Sequence, residues 1–130
     1  MEISKKAIIV EDNLILSILY ENYLKEMVFI TAGEIKDGKR AVELVKKYAP
    51  DIVIMDIILE GSMDGIQAAE EVRKFSNIPI VFITGNTDFV HIERAGKIEN
   101  SKFLKKPISE ERLKRAVLYL LSKPSKTSGT

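Results

Sequence analysis

Residues 52–56 read IVIMD, four apolar residues in a row followed by an aspartate. An uninterrupted apolar run of this length, bounded by polar residues, is typical of a strand that is buried on both faces. Similar runs occupy residues 7–10 (AIIV) and 78–83 (IPIVFI), a weaker one occupies residues 103–104, and residues 28–35 have the pattern of a half-buried strand. The sequence therefore predicts five short strands.

The intervals between these runs carry helical periodicity. Apolar residues recur at helical spacing within residues 16–27, 41–48 and 113–120. A fourth helix is expected near residues 88–96, although the surrounding segment is polar and weakly periodic. Side chains that can cap a helix N-terminus precede two of these helical segments and also stand at residue 64, where a further helix would begin. They are Asp37, Asp64 and Ser109.

Alternating strands and helices indicate a doubly wound α/β fold, with five parallel strands and five helices. Right-handed crossovers place helices on both faces of such a sheet, which explains why its strands are apolar throughout. A chain of 130 residues has the size of one ordinary domain. We expect that domain to occupy residues 1–122, and residues 123–130 (KPSKTSGT) to form a flexible tail or the start of a linker.

The composition excludes several classes of function. Twenty Lys and Arg against nineteen Asp and Glu give a net charge of +1, which provides no general attraction to nucleic acid or to an anionic membrane. Cysteine is absent and His91 is the only histidine, so disulfides, thiol catalysis and a zinc site are not expected. No apolar run approaches the ~20 residues of a membrane-spanning helix. We expect a cytoplasmic protein.

Polar side chains stand where the apolar runs end. The first run is followed by Glu11 and Asp12, the third by Asp56, the fourth by Thr84 and the last by Lys106. In a doubly wound sheet the carboxyl ends of the strands lie along one edge, where ligands bind. The five residues are therefore predicted to form one site.

Three carboxylates in one place require positive charge. Each pair at ~5 Å repels by roughly 3 kcal/mol at an effective dielectric constant of ~20. Oxygen ligands without His or Cys favour a hard cation such as Mg²⁺, with Glu11 and Asp12 as the metal pair. A carboxylate beside such a cation can attack phosphorus, which makes Asp56 the candidate acceptor, while Thr84 and Lys106 would hold the phosphoryl oxygens.

Four motifs in this order resemble those of the receiver domains of two-component response regulators. They are IIVEDN at residues 8–13, IVIMDIIL with MDG at residues 63–65, VFITGN at residues 81–86, and FLKKP at residues 103–107. The resemblance covers residues 5–122. It implies a flavodoxin-like, CheY-like fold with strand order 2-1-3-4-5.

The resemblance also implies a metal site and a phosphorylation site. Asp56 would accept phosphate from a histidine kinase or a phosphotransfer protein, with Mg²⁺ as cofactor. Asp12 and Asp56 would bind the metal directly, Glu11 would bind it through water, and the backbone carbonyl of Ile58 would be a further ligand. The domain would act as a phosphoacceptor and not as a classical enzyme.

The same resemblance assigns a switch. Thr84 and Lys106 would contact the phosphoryl group, and Phe103 occupies the aromatic switch position of the family. The Lys106–Pro107 peptide bond would be cis. The new conformation would control an unidentified protein partner, with no direct role for nucleic acid or membrane.

The sequence departs from the family pattern beside the acceptor. The stretch IILEGSMDG at residues 57–65 is one residue longer than the commonest spacing, and Glu60 stands where proline is usual. The shape of this loop is therefore not predicted. Asp64 and Gly65 are interpreted mainly as a turn and helix cap.

Other functions remain open at this point. The alternatives are a scaffold that binds partners independently of phosphorylation and a metal-dependent phosphatase. The phosphatase reading is weaker, because a second acid is needed two residues after the nucleophile and Ile58 stands there. His91 is expected to be an exposed loop residue, which places the phosphodonor histidine on another protein. Output is expected in trans or from a larger protein of which this chain is a piece.

Overall fold

A computed structural model describes residues 5–85 and 88–123, of which residues 32–34 are described by their backbone only. The strands are β1 (Lys5–Val10), β2 (Phe29–Ile35), β3 (Ile52–Asp56), β4 (Ile80–Thr84) and β5 (Ser101–Lys105). The helices are α1 (Leu14–Glu26), α2 (Gly38–Tyr48), α3 (Gly65–Arg73), α4 (Phe89–Gly96) and α5 (Glu110–Ser122).

The five strands form one parallel sheet in the order β2-β1-β3-β4-β5. The predicted fold class is therefore confirmed, including the strand order implied by the resemblance. The register pairs Val10 with Met55, and Asp56 with Ile83. Because these pairs lie at the carboxyl ends of their strands, the residues that follow β1 and β3 emerge at the same edge.

Helices cover both faces of the sheet. Along β1, Ile8 and Val10 belong to a buried cluster with α2, α3 and Ala95 of α4, whereas Ala7 and Ile9 belong to a second cluster with α1 and α5. Every residue of β3 and β4 is buried. Full burial of a large aliphatic side chain contributes about 1.5–3 kcal/mol. This two-sided burial explains why the strands carry continuous apolar runs.

The three predicted N-caps are present. The side chain of Asp37 accepts a hydrogen bond from the amide of Arg40, and the side chain of Ser109 accepts one from the amide of Arg112. Asp64 begins α3 with a capping box, in which its side chain and that of Gln67 bond to each other's amides. These caps fix where α2, α3 and α5 start, and hence the length of the loops before them.

The fourth helix has little contact with the core. Of its described residues only Ala95 is buried, while Phe89, Val90 and Ile92 are exposed. A helix with one buried residue leaves a faint periodic pattern, which explains why its signal in the sequence is weak. His91 lies inside this helix and is half-buried. The expectation that His91 is an exposed loop residue was therefore wrong. The weak periodicity of this segment did not indicate which side of the helix faces the protein.

The sequence also led to expectations about membrane-spanning helices and about a C-terminal tail. In the ranges described, no helix combines the length and the apolar character needed to cross a bilayer. Helix α5 ends at Ser122, and the predicted tail at residues 123–130 lies, apart from Lys123, outside the described residues.

Candidate functional site

Three carboxylates meet at the carboxyl edge of the sheet. Glu11 and Asp12 directly follow β1, and Asp56 is the last residue of β3. One carboxylate oxygen from each lies within 4.8 Å of the others. Glu11 and Asp56 are buried, at 3% and 6% exposure, whereas Asp12 is open to solvent. The structure thus brings together the three acids that the sequence predicted to converge.

Lys106 supplies a positive charge to this cluster. It follows β5, and its amide donates a hydrogen bond to the carbonyl of Thr84 at 2.8 Å. Its ammonium nitrogen lies 2.7 Å from Asp56 Oδ2 and 2.8 Å from Glu11 Oε1. The next peptide bond, from Lys106 to Pro107, is cis, as the resemblance implied.

Burial and charge shift the protonation of two of these groups. Burial raises the pKa of Glu11 from 4.5 to about 7, the charge of Asp56 acts in the same direction, and hydrogen bonds from Lys106 and from the amide of Asn13 oppose the shift. For Lys106, burial lowers the pKa, but hydrogen bonds and charges from Asp56 and Glu11 outweigh it and raise the pKa to about 12. The ammonium is therefore charged at neutral pH.

The donor set fits a hard divalent cation. Glu11 Oε1 is buried and forms an ion pair with Lys106 Nζ at 2.8 Å. Asp56 Oδ1 accepts from the amide of Ile58 at 3.1 Å, and Oδ2 faces Lys106. Buried carboxylate oxygens in excess of the nearby cation, with one exposed acid at the mouth, match the oxygen ligands and retained waters of Mg²⁺.

Thr84 and Phe103 lie on the two strands beyond Asp56. Thr84 ends β4 with its side chain 1% exposed, next to β3 in the sheet. Phe103 pairs with Phe82 and is partly buried against the cluster that also contains Ala95 of α4. Thr84 is therefore at the edge with the acids, whereas Phe103 lies further back, toward α4.

The loop after Asp56 is held near its middle and at the point where its two ends meet. Glu60, near its middle, forms an isolated parallel bridge with Asp37, the N-cap of α2. At its end, the amide of Gly65 donates to the carbonyl of Ile57 at 2.7 Å. Contact with the start of α2 and the hydrogen bond between its two ends therefore hold this loop in place.

One ion pair beside this loop was not predicted from the sequence. Arg94 of α4 reaches Asp64, with Nη1 3.0 Å from Oδ2, and both side chains are partly buried. Asp64 was interpreted as a cap, which it is, but it also joins α3 to α4. A lone arginine in a weakly periodic helix gave no signal of this pairing.

Comparisons with known proteins agree with this geometry. The family described as response regulator receiver domain matches residues 7–118. The chain is 32% identical to the transcriptional regulatory protein PdtaR of Mycobacterium tuberculosis over 121 residues, covering 93% of this chain and 58% of that protein. It is 29% identical to the chemotaxis protein CheY of Halobacterium salinarum, covering 92% of this chain and 98% of that protein.

A solved structure gives the same result. A response regulator receiver protein from Sinorhizobium medicae superimposes with a TM-score of 0.81 at 29% identity, covering 91% of this chain and 94% of that one. The chain thus spans somewhat more than half of the mycobacterial relative and nearly all of the chemotaxis protein. The motifs, the strand order and the acidic site all lie within the matched residues, and the chain belongs to the response regulator receiver domains of two-component signal transduction.

Proposed function

We propose that this chain is a phosphorylation-controlled switch in which Asp56 accepts a phosphoryl group from a histidine kinase or a phosphotransfer protein. The observation that carries the proposal is the setting of the Asp56 carboxylate. One oxygen contacts the ammonium of Lys106 and the other accepts from the amide of Ile58, while two further acids lie within 4.8 Å. A buried carboxylate in such a setting is positioned for chemistry as well as for stability.

The transfer is a displacement at phosphorus. A carboxylate oxygen of Asp56 forms the new P–O bond, the P–N bond to the donor imidazole breaks, and its electron pair stays on the departing nitrogen. Lys106 compensates the charge on the phosphoryl oxygens, and the Thr84 hydroxyl donates a hydrogen bond to one of them. Both residues already lie at this edge of the sheet, so the site needs little rearrangement to bind the group.

Mg²⁺ is the cofactor that we propose for this site. Asp12 and Asp56 would bind it directly, Glu11 would bind it through water, and the carbonyl of Ile58 would complete the protein ligands. A bound Mg²⁺ neutralises charge on the acids and on the phosphoryl group. Three carboxylate oxygens within 4.8 Å of one another, with the Lys106 ammonium beside two of the acids, support this assignment.

The signal would leave the site through the helices beyond β4. Phosphate at Asp56 would draw Thr84 inward and favour a second packing of Phe103, which lies against the cluster that includes α4. The exposed surface presented to a partner protein would change as a result. We propose the cytoplasm as its location, in line with the absence of cysteine.

Mass spectrometry after incubation with acetyl phosphate and Mg²⁺ tests the proposal. The protein should gain one phosphoryl group that hydroxylamine removes, as expected of an acyl phosphate, and Asp56→Asn should gain none. Asp51→Asn is a matched control, since it changes an exposed aspartate at the opposite end of β3 and should be phosphorylated normally. Equal labelling of Asp56→Asn, or no labelling of the unmodified protein, would contradict it.

The switch itself requires a second measurement. Pull-downs from a lysate with and without acetyl phosphate should recover different partners or different amounts of one partner. Recovery that is the same in both conditions, from a protein shown to be phosphorylated, would instead support a scaffold that works independently of phosphorylation.

A further inference from the structure

The two edges of the sheet differ in how they are protected. Strand β5 reads SKFLK and carries the exposed lysines Lys102 and Lys105. Strand β2 reads FITAGEI, and its one charged residue, Glu34, and the shift in its register with β1 both lie in its second half. Edge strands expose unpaired N–H and C=O groups, and charged residues or proline commonly prevent another strand from adding to them. The first half of β2, residues 29–31, lacks this protection, and no strand of the described chain pairs with the outer side of β2.

Apolar side chains are exposed along this edge. Val28, directly before β2, is 66% exposed, and Ile30 within it is 59% exposed. On the α2 side of the strand lies a depression of about 530 Å³, walled by Ile30, Leu44 and Tyr48. On the α1 side lies a second depression, of about 380 Å³, beside Phe29 and Thr31. An unpaired strand edge thus runs between two concave surfaces.

This arrangement is what an added strand requires. Successive side chains of a strand point to opposite faces, so residues of a segment paired with β2 would enter the two depressions alternately. In this mode the main chain supplies hydrogen bonds and the pockets supply selectivity. Both depressions share Ile30 and Thr31 in their walls, which places them on either side of the same stretch of β2.

Charge narrows the choice of partner. The described residues that line the α2-side depression carry two positive charges, from Lys6 and Arg40, and no negative one. The ion pair of Arg40 with Glu43 is long, at 3.4 Å, and both side chains are more than half exposed, so it binds Arg40 only weakly. A segment that places acidic side chains on this face would therefore be attracted.

We propose that the β2 edge is a docking site for an extended segment of a partner protein, with alternating apolar and acidic residues, which pairs with β2 as a sixth strand. A second copy of this chain fits less well. Two β2 strands paired about a twofold axis would place Lys6 and Arg40 of both copies on the same face, where they repel. The docking site uses no residue of the acidic site and is independent of phosphorylation.

The probe is a blocked hexapeptide of alternating valine and glutamate, added to the isotope-labelled protein. NMR should show shifts that concentrate on residues 28–35, and slower hydrogen exchange of the β2 amides that face outward. A hexapeptide of alternating valine and lysine should bind at least about tenfold more weakly. The glutamate peptide methylated on every backbone nitrogen should not bind, because it cannot donate hydrogen bonds to the strand.

Variants of the protein locate the contact. Ile30→Glu should weaken glutamate-peptide binding at least about tenfold, because it replaces an exposed apolar contact and adds a negative charge to the face that attracts the glutamates. Ile15→Glu is the matched control, since Ile15 is 78% exposed on α1, and should leave binding unchanged. Arg40→Gln should reduce the preference for glutamate over lysine. Circular dichroism establishes that each variant is folded, and the methylated peptide tests the proposal without any substitution.

Several results would overturn the proposal. They are no binding of the glutamate peptide at millimolar concentration, equal binding of the two charge types, equal binding of the methylated peptide, and shifts that concentrate on α1 or α4. Dimerisation of the free protein through β2, seen by sedimentation and lost in Ile30→Lys, would overturn the assignment of the occupant and identify a second copy instead.

Discussion

Gly65 packs directly onto the backbone of Asp56. A Cβ atom at position 65 would overlap the carbonyl oxygen of Asp56 and would lie 2.9 Å from the Cα of Ile57. The amide of Gly65 donates to the carbonyl of Ile57 at 2.7 Å, so helix α3 begins in contact with the residue proposed to carry the phosphate. The glycine is needed here for close approach and not for a special dihedral angle.

Gly65→Ala should therefore destabilise the protein. The clash is with backbone atoms, which cannot move aside as a side chain can, and we expect a loss of about 2–3 kcal/mol in the free energy of unfolding. Urea unfolding followed by circular dichroism measures it. Gly96→Ala is the control, because a Cβ there meets no atom within 4 Å, and it should be neutral or slightly stabilising. Equal stability of Gly65→Ala and the unmodified protein would contradict the packing described.

The ion pair between Arg94 and Asp64 should couple α4 to the start of α3. Their side chains are 32% and 25% exposed, so solvent weakens the pair only in part. Arg94→Met should cost about 1 kcal/mol of stability, and a double-mutant cycle with Asp64→Asn, which retains the cap, should give a coupling of about 0.5–1 kcal/mol. The same cycle on Arg115 and Glu111, which are 77% and 71% exposed, should give less. Equal couplings would show that partial burial adds nothing.

The acidic site could be predicted because its residues follow strands. In a parallel sheet the carboxyl ends meet at one edge, so Glu11, Asp12 and Asp56 were placed together without any knowledge of contacts. The same logic located Lys106 after β5. It could not give the contact of Lys106 with both Glu11 and Asp56, because that depends on the path of a loop. The resemblance, and not the spacing, supplied the cis bond before Pro107.

Contacts between helices could not be predicted from the sequence. Arg94 and Asp64 are 30 residues apart, and nothing in their local patterns relates them. The half-buried position of His91 was missed for the same reason, since α4 has one buried residue and its orientation is set by neighbours. Periodicity locates elements that bury a stripe of side chains, and it fails where an element buries almost none.

The stability of the metal-free protein should depend on pH through Glu11. Burial raises its pKa from 4.5 to about 7, so between these values the unfolded chain has released a proton that the folded chain still holds. The stabilising contribution present below pH 4.5 is therefore lost as the pH rises through about 7. Urea unfolding in EDTA from pH 4.5 to 8 measures the fall, and Glu11→Gln should lack it. Glu70→Gln, at an exposed site, should follow the unmodified protein; parallel curves for all three would contradict the assignment.

Val28 holds a strained backbone conformation just before β2. Its φ is 66°, in the left-handed region where a β-branched residue is disfavoured, and its amide donates to the carbonyl of Lys25 at 3.0 Å as the chain leaves α1. Because the side chain is 66% exposed, replacing it removes little buried surface. Val28→Gly should therefore raise the free energy of unfolding by about 1 kcal/mol, as measured by urea unfolding. Val90→Gly changes an exposed valine within helix α4 and should instead lower stability by about 0.5–1 kcal/mol. An equal loss of stability in the two variants would contradict the prediction and show that the backbone conformation at Val28 is not strained.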